Sequence, residues 1–202
     1  MKEVILATRN PSKALQIQTL FNGSTVSVLT LDAVGIEGKA VERTGDDATI
    51  EENALTKALF AHEKSGSCWW AMSDDTGLFI NALGGEPGVD AAYWGGKALS
   101  TEERMAHCLK LLQGVADRSA VFRVVVVVIS PEGVRHYFSG EVAGHLLESP
   151  RVPPQPEMPY SALFVPEGQD LSFAEMTTEQ ENEIYHRGMA FRKVRDFFGG
   201  QN

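Results

Sequence analysis

Ser73-Asp74-Asp75-Thr76-Gly77-Leu78, running on to Gly84-Gly85-Glu86-Pro87-Gly88-Val89-Asp90-Ala91-Ala92, is the stretch around which the chain is organised. The apolar run Trp69-Trp70-Ala71-Met72 precedes it, so the two carboxylates are expected at the end of a buried strand, with Gly-rich turns beyond. Strand side chains alternate, which sends Asp74 and Asp75 to opposite faces. Carboxylates near the carboxyl end of a strand, followed by such turns, suit a divalent metal and a phosphate ligand. Taken by itself, an Asp-Asp pair is better read as a solvated turn, and it is the rest of the chain that reverses this.

Upstream, Glu3-Val4-Ile5-Leu6-Ala7 reads as a short buried strand. Thr8-Arg9-Asn10-Pro11-Ser12-Lys13 then leads into Ala14, Leu15, Ile17, Leu20 and Phe21 at helical spacing. Asn10 is a good N-cap and Pro11 fits the first helical position, so a helix begins there. Its unpaired N–H groups and positive dipole end suit an anion, to which Lys13 adds a charge in the first turn, although a plain capped helix with a surface lysine is the better reading of this segment alone. The glycine run and Gly-Lys-Ser/Thr of a P-loop are missing. Residues 25–29 read as a second strand, and Leu31 to Lys39 as a loop. Thr49-Ile50-Glu51-Glu52 carries the pattern of a capping box opening a helix. Ile50, Ala54, Ala58 and Ala61 form its apolar stripe, with Asn53 and Lys57 four apart on a neighbouring face. Lys57 reads either as a solvated lysine or as one reaching over a cleft toward phosphate.

Downstream, Ser100-Thr101-Glu102-Glu103 opens a helix carrying Met105, Leu109 and Leu112, which Gly114 stops. Phe122 to Ile129, with Val124 through Val128 unbroken, predicts a central strand buried on both faces. Pro131-Glu132-Gly133 is a turn, and the alternation of Val134, His136 and Phe138 with Arg135, Tyr137 and Ser139 predicts a hairpin partner. His136 falls on the surface of that strand rather than in a ligand set.

The 202 residues are enough for one core, and we expect a single domain over 1–202. A net charge of -9 argues against nucleic-acid or anionic-membrane partners. Cys68 and Cys108 lie in apolar sequence without metal-ligand spacing, as in a reduced intracellular protein. Without a signal-peptide pattern or an apolar run of the ~20 residues that span a bilayer, the expected location is cytoplasmic.

Several of these stretches occur together in one order. They are Ala7-Thr8-Arg9-Asn10-Pro11-Ser12-Lys13, Glu42-Arg43-Thr44-Gly45, Glu51-Glu52-Asn53-Ala54 with Lys57-Ala58, Ser73 to Leu78, and Leu83-Gly84-Gly85-Glu86-Pro87-Gly88-Val89. With Phe173-Ala174-Glu175-Met176 and His186-Arg187-Gly188-Met189-Ala190, the series resembles the inosine triphosphate pyrophosphatase family, the non-standard purine nucleoside triphosphate pyrophosphatases. The resemblance covers nearly the whole chain. It implies an α/β fold with a long twisted mixed β-sheet, flanking helices, and two lobes around a central active-site cleft. It also implies hydrolysis of a nucleoside triphosphate to the monophosphate and pyrophosphate, with Mg²⁺, or Mn²⁺ in its place, and a homodimer.

By the same resemblance Glu42 and Asp75 hold the metal, and Asp75 is also the base that takes a proton from the attacking water. Asp74 is a supporting carboxylate, and Lys57 completes the catalytic group. Thr8, Asn10, Lys13 and Thr76 bind the phosphate chain with Lys57, while Tyr160, Ser161, His186 and Arg187 contact the nucleotide. Clamping of this kind supplies positioning and charge neutralisation, the main needs of such a reaction.

The chain departs from the family pattern where the base is read. Tyr160 and Phe164 are kept, but Met158 stands at the base-stacking aromatic, Pro159 at a Gly, Ser161 at an Asp and Ala162 at a Pro. Glu181 stands at a Lys, and Tyr185 at a Ser. A carboxylate has become a hydroxyl and a positive charge a negative one, so selectivity is expected to be relaxed or retuned. The alternative is a nucleotide-binding protein of the same fold with weakened catalysis, against which the retained Glu42, Asp75 and Lys57 argue. A septum-inhibitor type of pyrophosphatase lacks its Ser-rich N-terminal signature here, and a purely structural module leaves these motifs without purpose.

Overall fold

The computed structural model describes residues 1–45 and 47–200, apart from the side chain of Thr178. In order, the elements are β1 (Lys2–Leu6), α1 (Pro11–Leu20), β2 (Val26–Thr30), α2 (Ile50–Lys64), β3 (Trp70–Ile80) and β4 (Pro87–Gly88). Then come α3 (Thr101–Leu111), β5 (Ser119–Ile129), β6 (Arg135–Leu146), β7 (Phe164–Pro166), α4 (Thr178–Ile184) and α5 (His186–Gly199). The strands form one mixed sheet in the order β2-β1-β3-β5-β6-β7, with β4 paired to β3. β1 runs parallel to both β2 and β3, whereas β3–β4 and β6–β7 are antiparallel. This is the mixed α/β class expected from the sequence.

The chain divides into two compact units, one of Met1–Asp75, Val124–Gly140 and His186–Asn202, the other of Thr76–Arg123 and Glu141–Tyr185. In the first unit, strand alternation sorts side chains into two layers. Val4 and Leu6 of β1, Met72 of β3, and Val124, Val126 and Val128 of β5 pack with Ala14 and Ile17 of α1 and with Phe191, Val194 and Phe198 of α5. Ile5 and Ala71, on the opposite face, pack with Ala61 of α2 and with Leu31 and Ile36. The predicted stripe Ile50, Ala54, Ala58 and Ala61 is buried throughout, as is every residue from Val124 to Ile129. His136, on β6, lies against Phe197 with ring centroids 4.5 Å apart and the rings tilted by 45°.

The second unit has its own aromatic core. Phe122 meets Phe164 edge-on at 4.8 Å, Phe164 stacks on Phe173 at 5.3 Å, and Tyr185 meets Phe173 at 4.3 Å. Leu78 and Ile80 of β3 and Cys108 and Leu112 join this cluster. Burial raises the Cys108 thiol to about 12, so it stays protonated.

Four expectations are corrected. Asp74 and Asp75 lie in the middle of β3 and not at its end, because β3 runs on to pair Leu78 with Gly88 and Phe79 with Pro87. What ends is the neighbouring strand, whose pairing with β3 stops at Leu6 and Met72. At the start of α2, Thr49 accepts from the Glu52 N–H, but the Glu52 carboxylate pairs with Arg43 at 3.0 Å, so half of the capping box is formed. The box at Ser100 and Glu103 is complete. Cys68 is exposed rather than set in apolar surroundings. The two N-terminal strands each lie one residue from their expected bounds.

Candidate active site

The alternation that sorts the core also sorts the carboxylates. Met72 and Asp74 face the α1/α5 layer, while Ala71, Ser73 and Asp75 face α2. The Ser73 hydroxyl donates to the Ala54 carbonyl and fixes β3 against α2. Each aspartate therefore meets a different set of cations, and two ion-pair groups stand back to back on one strand.

On the α1/α5 side, the side chain of Asp74 is 1% exposed. Its Oδ2 accepts from Lys13 Nζ at 2.8 Å and from Arg187 Nε at 3.3 Å, while Oδ1 is buried without a hydrogen-bond partner. Burial by itself would raise this carboxyl, but Lys13, Arg187 and Lys57 outweigh it and hold it well below the usual aspartate range. Lys13 is placed by the capped start of α1. The Asn10 side chain accepts from the Lys13 backbone N–H at 2.8 Å, and the Thr8 hydroxyl accepts from the Asn10 N–H at 3.2 Å. Burial lowers the Lys13 pKa, with Asp74 opposing. Arg187 enters from the first turn of α5. Its neighbour His186 is fully buried, and burial together with Arg187 keeps the imidazole neutral at pH 7. The chain passes close there, since a Cβ at Gly140 would collide with the His186 carbonyl and the Ala190 backbone nitrogen.

On the α2 side, Lys57 Nζ lies 2.5 Å from Asp75 Oδ1 and 2.8 Å from Glu42 Oε1. Lys57 is therefore paired within the chain and largely buried, not the solvated lysine of one of the two expectations. Burial works to lower its pKa, but Asp75, Glu42 and Asp74 prevail and keep it above the usual lysine value. Asp75 moves the other way: burial raises it, and Lys57 offsets that in part. Such a carboxylate is a better proton acceptor than an exposed one.

Two residues present in the motifs, Asn53 and Arg9, have positioning roles that the sequence reading did not assign. Asn53, buried on α2, accepts from the Arg43 N–H at 2.8 Å and donates its side-chain amide to the Arg43 carbonyl at 3.0 Å. It thereby fixes the backbone next to Glu42, one helical turn from Lys57. The available signal was a polar residue four before Lys57 on a helix whose neighbours at that height are alanines. Arg9 binds the carbonyls of Ile36 and Gly38 and the carboxylate of Asp32, so it tethers the turn after β2. No local pattern marks that role.

Thr76, Tyr160 and Ser161 belong to the second unit. Tyr160 is buried and donates its hydroxyl to the Ala91 carbonyl at 2.9 Å. The Ser161 hydroxyl accepts from the Gln155 N–H at 2.8 Å and donates to the Met158 carbonyl at 2.7 Å, closing the Pro-rich loop on itself. The Gln155 amide donates to the Phe173 carbonyl at 3.3 Å and to Glu181 Oε2 at 3.2 Å. The substituted positions Ser161 and Glu181 are thus engaged with Gln155 of the same loop.

The model of the Ham1 family matches residues 4–197. A protein of Thermoanaerobacter sp. strain X514 named dITP/XTP pyrophosphatase is 37% identical over 197 residues, covering 96% of each chain. Among solved structures, the Ham1 protein of Coxiella burnetii superposes with a TM-score of 0.85 at 28% identity, over 99% of this chain and 100% of that one. The Staphylococcus aureus Ham1 protein gives 0.83 at 27%, over the whole of both chains.

Proposed function

This chain belongs to the Ham1 family, and from that premise we propose that it hydrolyses non-standard purine nucleoside triphosphates, of the dITP and XTP kind. Water adds across the bond between the α- and β-phosphoryl groups, releasing the monophosphate and pyrophosphate. The observation that carries the reading is the pairing of three carboxylates, Glu42, Asp74 and Asp75, with three cations, Lys13, Lys57 and Arg187, about one strand.

Three negative and three positive charges balance. A neutral cluster offers little net attraction to a multiply charged triphosphate, so an added cation is needed beside the anion. Glu42 and Asp75 suit one: both present a carboxylate oxygen to a single cationic point, and hard oxygen donors match Mg²⁺ or Mn²⁺. Among the described residues no group of three or more His, Cys, Asp or Glu side chains forms a metal cage. Two carboxylates completed by substrate phosphates is the usual arrangement for Mg²⁺. Bound there, the ion supplies positive charge to phosphate oxygens.

In this reading the remaining work falls to the chain's own side chains. Asp75 accepts a proton from the attacking water. Lys13, with the start of α1 and the Thr8 and Asn10 side chains, receives phosphate oxygens, joined by Lys57 and Thr76. Asp74 holds Lys13 and Arg187 in place. Arg187 makes the charged nucleotide contact, and His186 is the buried anchor of the helix that presents it. Tyr160 and Ser161 set the loop on the base side. The Ser161 hydroxyl and one Glu181 oxygen bond to Gln155, which supports relaxed base selectivity, because those two groups are already paired and lose little with a mismatched base. A homodimer in the cytoplasm completes the proposal. Among the described residues no helix is long and apolar enough to cross a membrane.

The test is pyrophosphate release from a panel of nucleoside triphosphates with Mg²⁺. We expect turnover of inosine and xanthosine triphosphates, with kcat/KM for inosine over adenosine or guanosine triphosphate below about a hundredfold, roughly 2.7 kcal/mol. A larger ratio would remove the relaxed selectivity, and no pyrophosphate from any of them would remove the activity.

A further inference from the structure

Lys57 stands between the two carboxylates proposed to hold the metal, 2.8 Å from Glu42 and 2.5 Å from Asp75. One oxygen of each carboxylate is thus engaged by a cation that belongs to the protein. We propose that Lys57 is a resident stand-in for the divalent ion: it keeps the carboxylate pair assembled and neutral, and it must leave that pair before a metal can enter. The identity of the anion that draws it away rests on the pyrophosphatase reading; the competition itself rests on the two contacts.

The surroundings favour a switch of partners over a permanent lock. The backbone beside Glu42 is fixed through the Asn53 clasp on Arg43, and Asp75 lies within β3, so both chain segments hold their places when the ammonium moves. Lysine carries its charge on a flexible four-carbon stem, and the head can shift while α2 stays still. Two carboxylates stripped of their counter-ion in a half-buried site repel each other, which gives an incoming ion a strong incentive to bind. The triphosphate is the natural second partner for the displaced ammonium. Metal and triphosphate then bind with mutual assistance, because each removes a cost that the other would have to meet.

The experiment measures Mn²⁺ binding to the intact protein by the loss of the free-ion paramagnetic resonance signal, without any nucleotide. Lys57→Met is expected to bind Mn²⁺ at least about fivefold more tightly than the wild type, the lower edge of ordinary coupling between sites. The gain should vanish when Glu42→Gln is added. Lys57→Arg keeps the cation and should stay within that factor of wild type, which serves as the test should the methionine variant fail to fold. A smaller gain for Lys57→Met, a gain that persists without Glu42, or tighter binding by Lys57→Arg would each overturn the proposal. Because no turnover is measured, failure of the substrate assignment would show in pyrophosphate release and leave this result standing.

Discussion

Neutralising Asp74 is the sharpest perturbation of the site. Asp74→Asn keeps the size of the side chain but leaves Lys13 and Arg187, 14% and 9% exposed at their side chains, without their common counter-ion. At an effective dielectric constant of 20 the two contacts, 2.8 and 3.3 Å long, are worth about 6 and about 5 kcal/mol gross. Much of that is offset by desolvation of three charged groups, and removing one partner of a buried pair costs about 3–5 kcal/mol net. A domain of this size has roughly 5–15 kcal/mol in all, so the variant should still fold, with a clear loss. The pH dependence has a defined sign. Asp74 is held below its unfolded value, so its contribution is complete above the unfolded aspartate pKa of about 3.9 and erodes as the pH falls toward the folded value. Urea unfolding should therefore show a deficit of about 3 kcal/mol or more at pH 7 that narrows below about pH 4. A deficit under about 1 kcal/mol at pH 7, or one that stays constant into acid, would refute the account of Asp74 as the common anion of two buried cations.

Two further predictions concern single positions. Asp75→Asn removes the proposed proton acceptor while Lys57 keeps its contact with Glu42, so we expect a normal circular dichroism spectrum with turnover down at least about a hundredfold; activity within about tenfold of wild type would exclude Asp75 as the base. Gly140→Ala places a methyl group against the backbone of His186 and Ala190, which has no flexible side chain to yield, and should lower stability by about 1–3 kcal/mol in urea unfolding. Unchanged stability would mean that α5 shifts away from β6 at little cost.

The family assignment was legible because the motifs are local and ordered. So was the layering, which follows from alternation alone: once residues 70–75 are a strand, Asp74 and Asp75 must face opposite ways, one beside Met72 and the other beside Ala71. The caps at Asn10 and Ser100 could be read for the same reason, since each bond spans three residues. The end of β3 could not be read in this way. It depends on β4, which supplies partners to Leu78 and Phe79 and carries the strand past the carboxylates.

What the sequence by itself determined, then, is which residue types are present and which side of a strand or helix each one takes, because backbone periodicity is a property of neighbours in the chain. What only the tertiary structure decided is the partner of each charge. Arg187 reaches Asp74 across 113 residues, Lys57 joins Glu42 to Asp75, and Gln155 joins the substituted Ser161 and Glu181. A buried charge must find compensation wherever the fold brings an opposite one, and that choice is settled by packing between distant segments, on which local spacing places no constraint.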